Sequence, residues 1–203
     1  MKKLKYEPLY ASHKDFFGKK PGFLIGKFYH LFPKGGTYLD LGCGQGRDLF
    51  FMSKKGFPSF GIDNSKTAIN QIKTELQNKK LKNVCVEFCN IEKFNFSSTL
   101  YDVINCSNTL QFFNKNDSNL IIKKIKNSIS KNGFVLISLF TIDDPSYKNP
   151  NGKWSYFKKN ELLEKFSEDF LIIHYFEGLV QDEAHGKFPP HKHGIANLIA
   201  QKI

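Results

Sequence analysis

Apolar and polar positions along this chain fall into blocks that switch repeatedly between the repeat of a strand and that of a helix. The run Thr37-Tyr38-Leu39-Asp40-Leu41 breaks into glycines at 42, 44 and 46, then flows into the amphipathic segment Asp48 to Lys55, which predicts strand, tight loop and helix. Ser59 to Asp63 predicts a second strand. Asn64 and Ser65 cap the helix expected from there to Lys80, whose apolar stripe is Ala68, Ile69, Ile72 and Leu76. Val84 to Asn90 and Tyr101 to Ser107 read as the third and fourth strands. Ser118 to Ser130 reads as a helix with Leu120, Ile121, Ile125 and Ile129 on its apolar side, closed by Lys131-Asn132-Gly133 as a C-cap. Phe134 to Phe140 is too continuously apolar for a surface strand and predicts a central one.

Two stretches depart from this alternation. The leader, Leu4 to Phe32, is rich in aromatics, and Pro21 opens a helical stripe of Phe23, Leu24, Lys27, Phe28 and Leu31 that closes at Pro33 and Gly35-Gly36. Thr141 to Ser155 is long and polar, with Asp143-Asp144-Pro145 and Trp154, and length of that kind usually serves an active site. Asp143 reads either as a turn residue or as a group for a cationic substrate, with the turn favoured by Asp-Pro chemistry. A helix over Lys158 to Phe166 and two terminal strands, Phe170 to Gly178 and Gly194 to Lys202, complete the chain.

Strands joined by helices define an open α/β sheet, and such sheets bind ligands where a strand gives way to a loop and helix. Glycines at 42, 44 and 46 let the backbone approach a ligand closely, and the amides at the next helix start favour an anionic or strongly polar group. The dinucleotide fingerprint G-x-G-x-x-G would demand glycine at 47, where the chain has Arg47, so the spacing disfavours NAD.

Leu39-Asp40-Leu41-Gly42-Cys43-Gly44-Gln45-Gly46 resembles the D/E-x-G-x-G-x-G first motif of class I S-adenosylmethionine-dependent methyltransferases, where Cys43 and Arg47 are familiar variants. Twenty-three positions after Asp40, close to the roughly 20 expected, the second strand ends in Asp63, where that superfamily places a carboxylate that accepts from ribose hydroxyls. The resemblance implies a Rossmann-like, seven-stranded, mostly parallel sheet in the order 3-2-1-4-5-7-6, with strand 7 antiparallel and helices on both faces. It implies a single domain over residues 1–203, in which residues 1–32 form a lid or helix segment and Tyr10 and Phe17 are candidates to wall the site.

The same resemblance assigns the cofactor, S-adenosyl-L-methionine, and its product, S-adenosyl-L-homocysteine. Gly42, Gly44 and Gly46 admit the methionine end, and Asp40 bonds its ammonium through water. Asp63 holds the ribose, Asn90 and Ile91 flank adenine, and Ser107 and Asn108 border the transferring methyl; Cys43, Arg47 and Asn64 complete the set. Asn90 stands where the superfamily usually has aspartate, and its amide oxygen still accepts a hydrogen bond.

Half of the six histidines lie within nine positions, at His185, His191 and His193, between the two terminal strands. His191 and His193 alternate across Lys192, so an extended backbone puts both imidazoles on one face. Three readings stand open: acid–base work on an acceptor, a hairpin tip in solvent, and a metal site needing His185 or Asp182 as third ligand. The first makes His185, His193 and His191 the catalytic candidates, and no metal is assigned.

The segment Glu183-Ala184-His185 and the closing strand resemble the C-terminus of tellurite-resistance methyltransferases and related short bacterial enzymes. In those a histidine followed by arginine serves the oxyanion, whereas Gly186 follows His185 here. The acceptor implied is a small-molecule nucleophile: a thiol, hydroxyl, amine or chalcogen oxyanion. Two alternatives remain, a methyltransferase acting on nucleic acid or protein and a non-catalytic binding module for the cofactor.

Composition changes this picture in three places. The net charge of +11 invites nucleic acid, but of 30 Lys and Arg residues only Arg47 is arginine, and the lysines scatter along predicted helices and turns. Base methylation also lacks its Asn-Pro-Pro-aromatic and Pro-Cys signatures, so a nucleic-acid partner is not expected. Cys43, Cys85, Cys89 and Cys106 have no C-x-x-C spacing and read as small buried residues. Neither a signal-peptide pattern nor a membrane span is evident, which points to a cytoplasmic protein with no membrane partner, as a monomer or weak homodimer.

Overall fold

Tyr38–Leu41 forms strand β1, every residue of it buried, and it runs into the glycine loop and then helix α3, Arg47–Lys54. The computed structural model describes residues 6–96, 100–148, 155–182 and 189–203. The chain divides into two compact units, Met1–Asn95 and Phe96–Ile203. The first holds α1 (Glu7–Ser12), α2 (Phe23–Phe28), β1, α3, β2 (Ser59–Asp63), α4 (Lys66–Lys79) and β3 (Val84–Phe88). The second holds β4 (Tyr101–Ser107), α5 (Lys115–Ser128), β5 (Ile129–Phe140), α6 (Glu161–Glu164), β6 (Phe170–Asp182) and β7 (His191–Lys202).

The seven strands form one sheet in the order β3-β2-β1-β4-β5-β7-β6, as the resemblance implies. β1 pairs in parallel with β2, and β2 with β3, whereas β7 runs antiparallel to both β5 and β6. In the first unit, Leu39 and Leu41 of β1 and Ile62 of β2 are buried with Leu49 and Met52 of α3 and Ile69 and Ile72 of α4. Each such side chain contributes roughly 1.5–3 kcal/mol when removed from water. In the second unit, β4 and β5 bury Val103, Ile104, Val135, Leu136 and Ile137 in the same way.

Ser65 caps α4 through its hydroxyl, which accepts from the Ala68 amide at 3.0 Å. Several expectations shift. Helix α5 begins a turn earlier than Ser118, because the Asn114 side chain caps it by accepting from the Asp117 amide at 2.9 Å. Its buried face is Ser118, Ile121, Ile122 and Ile125, while Leu120 is exposed. Lys131-Asn132-Gly133 is not a helix cap but part of a bulge at the start of β5, between the pairs Tyr101–Ile129 and Val103–Phe134. Asn132 there has φ 63°, the left-handed conformation that a C-cap also requires, so one local signal served a different element.

The helix expected over Lys158–Phe166 shrinks to Glu161–Glu164, after Asn160 at φ 61°. Both terminal strands are longer than the pattern indicated and absorb Asp182, His191 and His193 into the hairpin ladder. Only two of the four cysteines are buried. Cys43 and Cys106 are in the core, whereas Cys85 is exposed and Cys89 partly so, because β3 lies at the edge of the sheet. Among the described residues, no helix is long and apolar enough to cross a membrane.

Candidate active site

The loop after β1 turns on three left-handed glycines, Gly42 (φ 77°), Gly44 (φ 52°) and Gly46 (φ 82°). The Gly42 and Cys43 amides both donate to the Ile62 carbonyl, at 2.9 and 3.0 Å, which ties the loop to the end of β2. The loop's apex is fixed by Asp63: one carboxylate oxygen accepts from the Gly44 amide at 2.8 Å, and the other from the Ser65 amide at 2.8 Å. A carboxylate offers about four acceptor sites, so this partly exposed one can still accept from a ligand hydroxyl. Burial pushes the Asp63 carboxyl above its ordinary range, and the Ser65, Gly44 and Asn64 amides offset only part of that rise.

The leader closes over this loop. A Cβ on Gly44 would lie 2.9 Å from the Tyr10 hydroxyl, so only glycine leaves room there. Tyr10 is buried with Phe16 and Ala68, and burial also drives its phenol far above the ordinary value, so it remains a neutral wall. Phe17, the other candidate wall, is largely exposed and packs edge-on against Phe16. Gln45 and Gln71 lace the leader down: Gln45 accepts from the Phe16 amide and donates to the His13 carbonyl, both at 2.7 Å, and Gln71 donates to the Tyr10 carbonyl at 2.8 Å. Glu7 accepts from the Ser65 and Thr67 hydroxyls and, at 3.1 Å, from the Thr67 amide, at the start of α4.

The other expected cofactor residues take varied positions. Asp40 is buried in β1 opposite Gly61. The buried Cys43 thiol is pushed well up by burial and then by Asp63 and Asp40, so it stays protonated and is no nucleophile. Arg47 turns toward its neighbour Asp48 (3.3 Å) and the Phe17 carbonyl (3.5 Å), which makes it a tie to the leader. Asn64 is exposed. Asn90 donates from its amide nitrogen to Glu92 at 2.9 Å, and Ile91 is buried beside it.

In the second unit, β4 ends in Ser107, whose hydroxyl donates to Asn105 at 2.7 Å. Asn108 follows at φ 52° with its amide on the Ser138 carbonyl at 2.7 Å. His191 and His193 do share one face of β7, with their Nε2 atoms 2.9 Å apart. His193 Nδ1 lies 2.7 Å from Asp144, and its ring stacks on Phe140 at 4.5 Å. His185 lies outside the described residues.

Asp144 is the residue that sequence reasoning missed, having singled out its neighbour Asp143. It is buried and also accepts from the Ser146 amide at 2.9 Å and the Gly194 amide at 3.1 Å. Gly194 is obligatory for this contact, since a Cβ would lie 2.3 Å from the Asp144 nitrogen. Only the unexplained run Asp143-Asp144-Pro145 hinted at it.

A glycine loop pinned to an acidic β2 terminus, in a sheet whose seventh strand alone is reversed, defines the class of S-adenosylmethionine-dependent methyltransferases. The chain belongs to the family described as methyltransferase domain, which matches residues 33–187. It is 28% identical over 178 residues to the probable S-adenosyl-L-methionine-dependent methyltransferase TehB of Haemophilus influenzae, covering 84% of this chain and 59% of that protein. It is 31% identical over 119 residues to (S)-tetrahydroprotoberberine N-methyltransferase of Eschscholzia californica, covering 58% of this chain and 32% of that one. The crystal structure of TehB from Haemophilus influenzae superposes with TM-score 0.75 at 24% identity, over 89% of this chain and 61% of its own. The chain thus spans under two thirds of the length of these relatives.

Proposed function

We propose that this protein transfers a methyl group from S-adenosylmethionine to a small-molecule nucleophile: a thiol, hydroxyl, amine or chalcogen oxyanion. The observation that carries the reading is the Asp63 carboxylate, held by the Gly44 and Ser65 amides with acceptor capacity to spare at the lip of the glycine loop. The residues present fit the cofactor in that the carboxylate at the lip of the loop suits a ribose hydroxyl. Bound there, S-adenosylmethionine supplies a methyl made electrophilic by its sulfonium.

In this reading the chain's own residues position and shield. Asp63 accepts from the ribose hydroxyls, Asn90 and Ile91 flank the adenine, and Asp40 receives the ammonium through water. Gly42, Gly44 and Gly46 make room for the methionine end, Ser107 and Asn108 border the methyl, and Tyr10 excludes water. Positioning of this kind can supply about 7–11 kcal/mol of a displacement barrier. His191 and His193, with His185 beyond the described residues, prepare the acceptor by drawing off its proton or holding its anion.

The small-molecule class draws support from the relative named (S)-tetrahydroprotoberberine N-methyltransferase. A screen of thiols, phenols, amines and oxyanions for S-adenosylhomocysteine release tests it. Turnover with a small acceptor and none with RNA, DNA or protein is the expected result. Turnover only with a polymer, or with nothing despite cofactor binding, would overturn it.

A further inference from the structure

Asp182 on β6 and His191 on β7 are direct partners across an antiparallel ladder, and His193 lies two residues on, on the same face as His191. One donor atom from each falls within 4.8 Å of the others. The orientation of the two rings is more telling than their proximity.

His191 Nδ1 sits 2.8 Å from the Pro189 carbonyl, and His193 Nδ1 sits 2.7 Å from the Asp144 carboxylate. A carbonyl oxygen and an ionised carboxylate only accept, so in both rings the proton resides on Nδ1. The two Nε2 atoms are thereby turned toward each other, 2.9 Å apart. At that distance the pair needs a cation between the two nitrogens, either a proton shared by the rings or a metal ion, and the third donor, Asp182, within 4.8 Å favours the metal.

We propose that Asp182, His191 and His193 bind one divalent transition-metal ion, of which zinc is the closest chemical fit. Neutral imidazole Nε2 and carboxylate oxygen are the donors that zinc takes, at about 2.0–2.2 Å. Opening the two nitrogens by about half an ångström would give the tetrahedral angle at that bond length. The backing is what such a site uses: one ligand histidine donates to a buried carboxylate and the other to a backbone carbonyl, which fixes both tautomers and ring orientations. Asp144 is therefore a positioning residue, held in turn by the Ser146 and Gly194 amides. A bound ion takes both Nε2 lone pairs, so this assignment replaces direct proton transfer by His191 and His193; it is judged apart from the methyltransferase reading, because metal binding is measured without turnover.

The test is titration of the full chain, carrying no polyhistidine tag, with Co2+ followed by its visible spectrum, and with Zn2+ by calorimetry. One ion per chain is expected, with a d–d band of low-coordinate cobalt. His193→Ala and His191→Ala should abolish the band, and Asp182→Asn should weaken it. Asp144→Asn should lower affinity about 10–100-fold while keeping the stoichiometry. Circular dichroism identifies any variant that fails to fold, in which case the partly exposed Asp182→Asn decides, and full cobalt affinity in it would refute the site. Absence of stoichiometric uptake by the wild type, with nitrogen-15 resonances showing one proton shared by the two rings, would also overturn the assignment. So would unchanged binding in both histidine variants.

Discussion

The Gly44 amide donates to the Asp63 carboxylate at 2.8 Å, joining the tip of the glycine loop to the end of the neighbouring strand. The contact sets the loop's height and places the acid beside it, so one bond both builds the site and orients its recognition group.

That acid should make cofactor affinity depend on pH. Burial raises the Asp63 carboxyl above the ordinary value of about 3.9. The ionised form is the better acceptor for hydroxyls, so affinity should be full at neutral pH and fall as pH drops through the raised value. In the ligand-free protein the sign reverses: ionising Asp63 costs stability above the ordinary range, and protonation on acidification restores it. Calorimetric titrations from pH 8 to pH 4 check this, and Asp63→Asn should remove the dependence.

Glu7 behaves oppositely. Its burial alone would raise its carboxyl, but the Ser65 and Thr67 hydroxyls and the Thr67 amide outweigh this and hold it below the usual carboxylate range. Its stabilising contribution is therefore present above the ordinary value and lost only as pH falls through the depressed one. Glu7→Ala should cost about 1 kcal/mol, as loss of a helix-start acceptor does, and loosen the leader. Faster amide exchange over residues 6–17, with little change elsewhere, would mark that effect.

Two glycines separate crowding from conformation. Gly194→Ala drives a methyl into the Asp144 backbone and should cost about 1–3 kcal/mol while disturbing the His193 contact. At Gly35, φ 73°, an added methyl would meet nothing within 4 Å, so Gly35→Ala should cost only about 1 kcal/mol of backbone strain. Thermal melts of both variants, with a histidine NMR spectrum of the first, distinguish the two.

What the sequence shows plainly is local. Glycines at 42, 44 and 46, an acid ending β2 and a serine opening α4 are separated by short chain lengths, and each performs at its own position the part its type suggests. The pairing of His191 with His193 was legible for the same reason, since a two-residue repeat in a strand fixes a shared face. Partners set by tertiary approach were not: Glu7 meets Ser65 across 58 positions and Asp144 meets His193 across 49, and no periodicity links such pairs. Arg47 illustrates the converse, a residue at the right place in the motif whose side chain turns to Asp48 and the leader. The bulge at Asn132 shows how one left-handed residue fits two elements, so that only pairing with Tyr101 and Val103 decides between them.

The loop from Gly42 to Gly46, with Asp63, should bind S-adenosylmethionine, and calorimetry reads that binding without turnover. Titration with S-adenosylmethionine, S-adenosylhomocysteine and NAD should give binding of the two sulfur nucleotides alone. Asp63→Ala, folded by circular dichroism, should weaken that binding by about 1.5–3 kcal/mol, roughly 10- to 150-fold in Kd. Binding of NAD instead, or an unchanged dissociation constant in the folded variant, would show that Asp63 and this loop do not hold S-adenosylmethionine.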